Sequence, residues 1–307
     1  MGFFEDVDGI GIANENARKI LAMEEEEASR IIETYRDVQQ SLRRDLAKWS
    51  GTRLQDRFTA QRLRGTMLQI ETALKAWERP LSEAMTSSAE KATIFSIESL
   101  QREIMRYDAE FLGAVTPINL DALRIASEAH NLLINQYSVS FLKWSDQTRS
   151  QIQQGLLEAI AREDTHEQVI GKLLKSFFGY EWQLRRIVRT EMHGIYNTSK
   201  IRGMQEARAQ SMPDMMKALY HPLDHRTAED SQLLARMNPI IPINKPFRYL
   251  YRPGKSKKEY YREFMAPPDR PNDRAVLVPY RSSWGRANNL FDNQGFSGKL
   301  YRGEFGG

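Results

Sequence analysis

No cysteine occurs among the 307 residues, which excludes disulfides, thiol nucleophiles and thiolate metal sites. Histidine is scarce, at five, so a metal site would have to be built from a few imidazoles with Asp or Glu. Neither a GxGxxG nor a GxxxxGK[ST] pattern is present, which argues against nucleotide-dependent enzymes and against a packaging motor. A serine nucleophile elbow is missing as well. No run of about 18 apolar residues is available to cross a bilayer. The opening residues Met1-Gly2-Phe3-Phe4-Glu5-Asp6 lack the basic-then-apolar order of a signal peptide. The expectation is a protein made and kept in a cytoplasm, or in something assembled there.

What is present is ordinary for a soluble globular protein: 41% hydrophobic and 27% charged residues, in a chain long enough for two domains. The net charge of +4 conceals an asymmetry. Residues 1–50 hold 7 Lys and Arg against 11 Asp and Glu, a net of −4, whereas residues 245–307 hold 13 against 6, a net of +7. The two ends should therefore prefer different partners.

From about Asn14 to Trp49 there is neither Pro nor Gly, and Ala28, Ile31, Tyr35, Val38, Leu42, Leu46 and Trp49 recur at spacings of three and four. This predicts a long amphipathic helix with a coiled-coil-like seam. Leu63, Met67, Ile70, Leu74 and Trp77 repeat the pattern over about Leu54 to Trp77, and Ser50-Gly51-Thr52 supplies the turn of an antiparallel hairpin. Pro80 is expected to start or kink a further helix that continues over Ala89 to Leu112. Asp121 is positioned to cap another, and the helical pattern resumes through Leu156 and Leu173 until Phe177-Phe178-Gly179 breaks it. Glu181 to Gln210 then reads as one more helix. The Glu24–Glu27 run reads as a solvated helix face.

Beyond Pro213 the period changes. Lys217–Tyr220, Phe247–Arg252 and Ala275–Val278 read as strands, the last being the strongest β signal in the chain. Ser282 to Gly307 contains six glycines among scattered aromatics and reads as an extended arm. The expected fold is α+β and predominantly α. It comprises a long helical hairpin or bundle over residues 1–180, a small mixed α+β domain over 181–281, and a Gly-rich arm over 282–307.

Three polar clusters stand out in the second half: Arg189-Thr190-Glu191 with Asn197 on a helix, then Asp224-His225-Arg226-Thr227, then the proline-rich run from Pro267 to Arg274. Buried polar side chains are costly unless they satisfy one another, so the clusters are expected to form one network containing Arg189, Thr190, Glu191, Asn197, Asp224, Arg226, Thr227, Asn272 and Arg274. Arg226 offers a planar fork of donors to a carboxylate, Glu191 being the candidate. A second feature is a strip in which Arg248, Arg252, Lys255, Lys257, Lys258, Arg262 and Arg281 are interleaved with aromatic residues. Such a strip suits DNA phosphates or a protein interface equally.

These residues resemble the Mu F-like minor head proteins of tailed bacteriophages, the phage head morphogenesis family. The resemblance rests on Arg189-Thr190-Glu191 with Tyr196-Asn197, on Asp224-x-Arg226-Thr227, and on Pro267-Pro268 with Pro271-Asn272-x-Arg274 leading into a strand. It covers roughly Glu181 to Tyr280. Family members often carry a His where Ser231 stands, and cysteines where Asp273 and Ala275 stand. The resemblance implies a structural virion protein with no catalytic residue, cofactor or metal, located inside the head near the portal vertex after assembly in the host cytoplasm. Its implied partners are the portal protein, the major capsid protein and double-stranded DNA, with several copies per virion and roles in head morphogenesis, packaging or ejection. Two other classes stay open at this point: a metal-dependent nuclease or toxin-like enzyme working through Glu191, His193, Asp224 and His225, and a free nucleic-acid-binding module.

Overall fold

The computed structural model describes residues 8–49, 60–121, 124–125, 143, 146–148, 150–221, 229–237, 239–251, 260–271 and 273–284. Three long helices dominate: α1 (Asp8–Trp49), α2 (Ala60–Leu112) and α3 (His166–Gln210), with residues 150–161 also helical. After them come β1 (Met215–Tyr220), α4 (Glu229–Met237), β2 (Ile241–Pro242), β3 (Phe247–Tyr251), β4 (Tyr260–Phe264) and β5 (Val276–Arg281). The fold is α+β and predominantly α, as the sequence indicates.

Neither Pro80, expected to start or kink a helix, nor the expected break at Phe177-Phe178-Gly179 ends a helix. Pro80 lies inside α2, and α3 runs unbroken from His166 through Gly179. A single proline removes one intrahelical hydrogen bond, and a single glycine costs about 1 kcal/mol relative to alanine. Both are small against the packing of a helix tens of residues long. The hairpin turn at 50–52 lies outside the described residues.

The chain divides into two compact units whose segments are interleaved, not consecutive: 1–23 with 90–130 and 192–307, and 24–89 with 131–191. The divisions fall within α1, α2 and α3, not at the boundary expected near residue 180. Helical continuity is local, whereas compactness is set by which stretches of each helix find partners.

In the unit of 24–89 and 131–191, Ala28, Ile31, Ile32 and Tyr35 on α1 are buried, in accord with the expected seam. Ser88 Oγ donates to Glu27 Oε2 (2.7 Å), and Arg30 reaches the Ala84 carbonyl (3.2 Å), so α1 and α2 run antiparallel here. Only Glu25 and Glu26 of the acidic run face solvent. Glu24 and Glu27 are each 2% exposed, and Glu27 is also bound by Arg30, while Glu25 receives Arg185 and lies 3.7 Å from Arg189. A 3.6-residue period puts the first and last members of a four-residue run on one face, here the inward one, and leaves Glu25 and Glu26 exposed.

In the other unit, Ile97, Leu100, Ile104 and Tyr107 of α2 and Met192, Ile195, Tyr196 and Met204 of α3 are buried. A Cβ built on Gly203 would stand 2.6 Å from Leu100 Cδ2 and 2.9 Å from Ile97 Cδ1, so glycine permits the close approach of the two helices. Beyond Leu112, Asp121 Oδ1 accepts from the Arg124 amide at 2.9 Å, the N-cap contact expected of it.

The strands form a three-stranded antiparallel sheet in the order β2-β1-β5 and a separate β3–β4 hairpin. β5 outruns the expected strand, continuing through Pro279 to Arg281. It is an edge strand, and residues two apart direct their backbone groups to the same side. Leu277 turns its amide to the edge away from β1, so Pro279 lacks its N–H where no ladder partner needs one.

Candidate functional site

At the edge of β5, one residue behind the sequence resemblance, Asn197 on α3, meets the backbone of the run that leads from Pro267 into the strand. Asn197, fully buried on α3, accepts from the Leu277 amide at 2.7 Å through Oδ1 and donates through Nδ2 to the His193 carbonyl (3.0 Å) and the Ala275 carbonyl (3.5 Å). His193, 1% exposed, donates from Nε2 to the same Ala275 carbonyl at 2.6 Å; because a carbonyl only accepts, the proton sits on Nε2. Two side chains four residues apart on one helix face thus act as a surrogate neighbouring strand, supplying one acceptor and two donors to an otherwise open edge. Gly194 lies between them, and a Cβ there would touch Pro268 Cδ at 3.4 Å, so the proline-rich run lies against the same helix.

Of the residues expected to form one network, Asn197 is buried and hydrogen-bonds backbone groups of His193, Ala275 and Leu277. Arg189 lies beside Glu25, and Thr190 Oγ1 is buried without a hydrogen-bond partner. Glu191 and Arg274 are half-buried. Asp224, Arg226, Thr227 and Asn272 lie outside the described residues, as does the expected Arg226–Glu191 pairing.

Sequence reasoning missed two buried ionic clusters. Lys200 and Glu103, both fully buried, pair at 2.7 Å; Asn16 Nδ2 donates to the same Glu103 Oε1 at 2.8 Å, and Arg102 donates to Asn16 Oδ1 at 3.3 Å. Burial alone would push the Lys200 ammonium down, but the Glu103 carboxylate, helped by the Tyr196 hydroxyl, outweighs it and holds the ammonium above its ordinary range. The only sequence hint was the position of Lys200 four residues beyond Tyr196, which reads equally well as a solvated stripe.

The second cluster corrects the assignment of Arg281 as a surface contact. Its side chain is 10% exposed, with Nη1 on Asp108 Oδ1 and Nε on Asp214 Oδ1, each at 2.9 Å. Asp214 is held down to about 2: partial burial alone would raise it, but Arg281 and the Ser283 hydroxyl and amide more than offset that. Trp284 donates from Nε1 to Asp108 Oδ1 at 2.6 Å and sets its ring edge-on to Tyr107 at 5.1 Å. Ser282–Trp284 form a 3-10 turn with Trp284 buried, so they belong to the fold and not to an arm beginning at Ser282. Residues 285–307 lie outside the described residues.

The remaining basic candidates separate by strand face. Register places Phe247 opposite Phe264, Arg248 opposite Glu263, Tyr249 opposite Arg262 and Leu250 opposite Tyr261. Period-two alternation then puts Arg248 and Tyr261 on one face, Phe247, Tyr249 and Arg262 on the other. Arg262 donates to the Asp269 carbonyl at 2.6 Å, while the Tyr249 hydroxyl donates to the Asp269 carboxylate. Burial raises that carboxylate above its ordinary range, the Tyr249 hydrogen bond opposing and Asp273 adding to the rise. Arg248 remains exposed. Arg252, Lys255, Lys257 and Lys258 lie outside the described residues.

Lys217, on β1, is fully buried; its Nζ donates to the Met265 carbonyl at 2.7 Å and lies 4.9 Å over the Phe247 ring. Burial lowers it to about 8. Among the described residues, no group of three or more His, Asp or Glu is placed to hold a metal ion, and no helix is long and apolar enough to cross a membrane. No family model, curated protein or solved structure matches the chain.

Proposed function

We propose that the chain is a structural protein of a tailed-phage head: a minor head protein associated with the portal, acting in head morphogenesis and touching the packaged DNA. One observation supports this most. The α3 segment through His193 and Asn197 and the run from Pro267 into β5, two of the three segments behind the family resemblance, come together in one buried junction. There the polar groups serve the backbone of an edge strand, which is the chemistry of holding a module together. His193, which a hydrolytic reading would need as a base or ligand, is bound to the Ala275 carbonyl. The proposed partners are the portal protein, the major capsid protein and double-stranded DNA, with several copies inside the head near the portal vertex.

The test is incorporation. Tagged chain should co-sediment with particles formed by the portal and major capsid proteins encoded beside it. Absence of head genes from its neighbourhood, together with no recovery in particles, would overturn the proposal.

A further inference from the structure

We infer that Lys200 and Asn16 become joined by an isopeptide bond, with Glu103 moving the protons and Arg102 steadying the oxygen that turns negative. The inference rests on the buried cluster where α1, α2 and α3 meet, and not on the head-protein reading.

Nucleophile and electrophile share one oxygen of the proton carrier. Lys200 Nζ lies 2.7 Å from Glu103 Oε1, and Asn16 Nδ2 donates to the same oxygen at 2.8 Å. Two nitrogens so placed are no farther apart than twice the longer distance, and the carbon to be attacked, Asn16 Cγ, is one bond from Nδ2. The amide is oriented from both ends: its nitrogen faces the carboxylate, while Arg102 Nη2 donates to Oδ1 at 3.3 Å, where the charge of a tetrahedral intermediate develops. Glu103 Oε2 is buried without a hydrogen-bond partner, which leaves a second oxygen to receive a proton. Asn16, Glu103, Lys200 and Tyr196 are all fully buried, and Phe95 stacks on Tyr196 at 5.7 Å. Keeping water out leaves the amine as the attacking group and prevents hydrolysis of the amide.

The ion-paired cluster is the reactant. Glu103, whose charge holds Lys200 protonated against solvent, is also the group that takes its proton, and a neutral amine beside a neutral acid is less costly to bury than two ions. The freed lone pair on Nζ forms a bond to Asn16 Cγ, and the carbonyl electrons move to Oδ1, beside Arg102. Glu103 returns its proton to Nδ2 and takes another from the attacking nitrogen. Oδ1 then re-forms its carbonyl, the Cγ–Nδ2 bond breaks and ammonia leaves; departing as ammonium, it carries off the second proton and restores the Glu103 carboxylate. No oxidant, cofactor or water is consumed, and each chain reacts once. In a chain without cysteine the bond does what a disulfide does elsewhere, closing α1 covalently onto α3.

The experiment is intact-mass spectrometry and tryptic mapping of the full chain, sampled over time after expression. The parent should come to weigh less than its sequence by one ammonia. Its digest should hold a branched peptide joining the segment with Asn16 to the segment with Lys200, uncleaved after Lys200. Glu103→Gln, Asn16→Ala and Lys200→Arg should each keep the full mass of their own sequence. Arg102 is exposed, so it can be replaced without opening the core. Arg102→Gln should slow the appearance of the branched peptide by roughly 10-fold or more, as loss of one oxyanion donor does. A folded parent that retains its full sequence mass on prolonged incubation overturns the inference whatever the variants do, so a variant that fails to fold cannot rescue it. Loss of ammonia with only linear peptides overturns it too, since Asn16 has then cyclised onto its own backbone. So does a branched peptide that forms as fast in Glu103→Gln as in the parent.

Discussion

Replacing Glu103 by Gln tests how the α2–α3 core is held together. The amide keeps the size of the side chain and an oxygen for Lys200 and Asn16, but it removes the charge opposite a fully buried ammonium. Breaking such a pair from one side costs about 3–5 kcal/mol, because the remaining ion stays desolvated. At about 2–4 °C per kcal/mol for a unit of this size, the melting temperature should fall by roughly 10 °C. Urea titration and thermal melting followed by circular dichroism would measure both quantities. Removing both charges together, Glu103→Met with Lys200→Met, should recover most of the loss, since a well-packed apolar pair can equal a buried ion pair. The pH dependence has a definite sign. Lys200 is raised above its ordinary 10.5, so its contribution is complete below that pH and is lost as pH rises through the higher folded-state value. A loss below about 1 kcal/mol for Glu103→Gln would refute the reasoning, because it would mean that water reaches the pair.

Asn197→Ala strips the Leu277 amide of its acceptor and the Ala275 carbonyl of a donor; a loss of about 2–4 kcal/mol is expected. Hydrogen exchange at Leu277 should accelerate in that variant, and unchanged protection would contradict the surrogate-strand role. Lys217, lowered to about 8, penalises the folded state while charged, so stability should rise as pH climbs from 8 towards 10.5. Lys217→Met should flatten that rise, and a pH profile parallel to the parent's would count against burial of a charged amine. Asp214, held down to about 2, contributes stability above 3.8 that disappears as pH falls through 2. In Asp214→Asn that stretch of the acid denaturation curve should lose about 1 kcal/mol of its drop, the figure being reduced for the carboxylate's partial exposure.

The helical pattern of α1, α2 and α3 was legible because apolar residues at spacings of three and four report a buried stripe whatever lies opposite. Three strands were legible for a similar reason: Val276-Leu277-Val278 has no helical alternative at that length. Their ends were not. Whether Pro279 stops a strand depends on which edge its missing N–H faces, and that is known only once β1 is in place. Neither Pro80 nor Gly179 ends its helix for the complementary reason, since punctuation costs one to a few kcal/mol and continuous packing outweighs it. Asn197 stood out in the sequence because an amide at that helix position has to find partners, and the backbone around β5 supplies them. Arg281 was misassigned because an arginine in a basic, aromatic strip reads the same whether its guanidinium meets DNA or two aspartates.

The sequence by itself determined the periodicities, the absent chemistries and the polar residues that needed partners, because these depend only on residue type and spacing. Tertiary structure decided which partners they found: Asn16 with Glu103 across 87 residues, Arg281 with Asp108 across 173, and α3 with the edge of β5. A side chain carries its hydrogen-bonding capacity locally, but burial and charge pairing are properties of what the rest of the chain brings within about 3 Å of it.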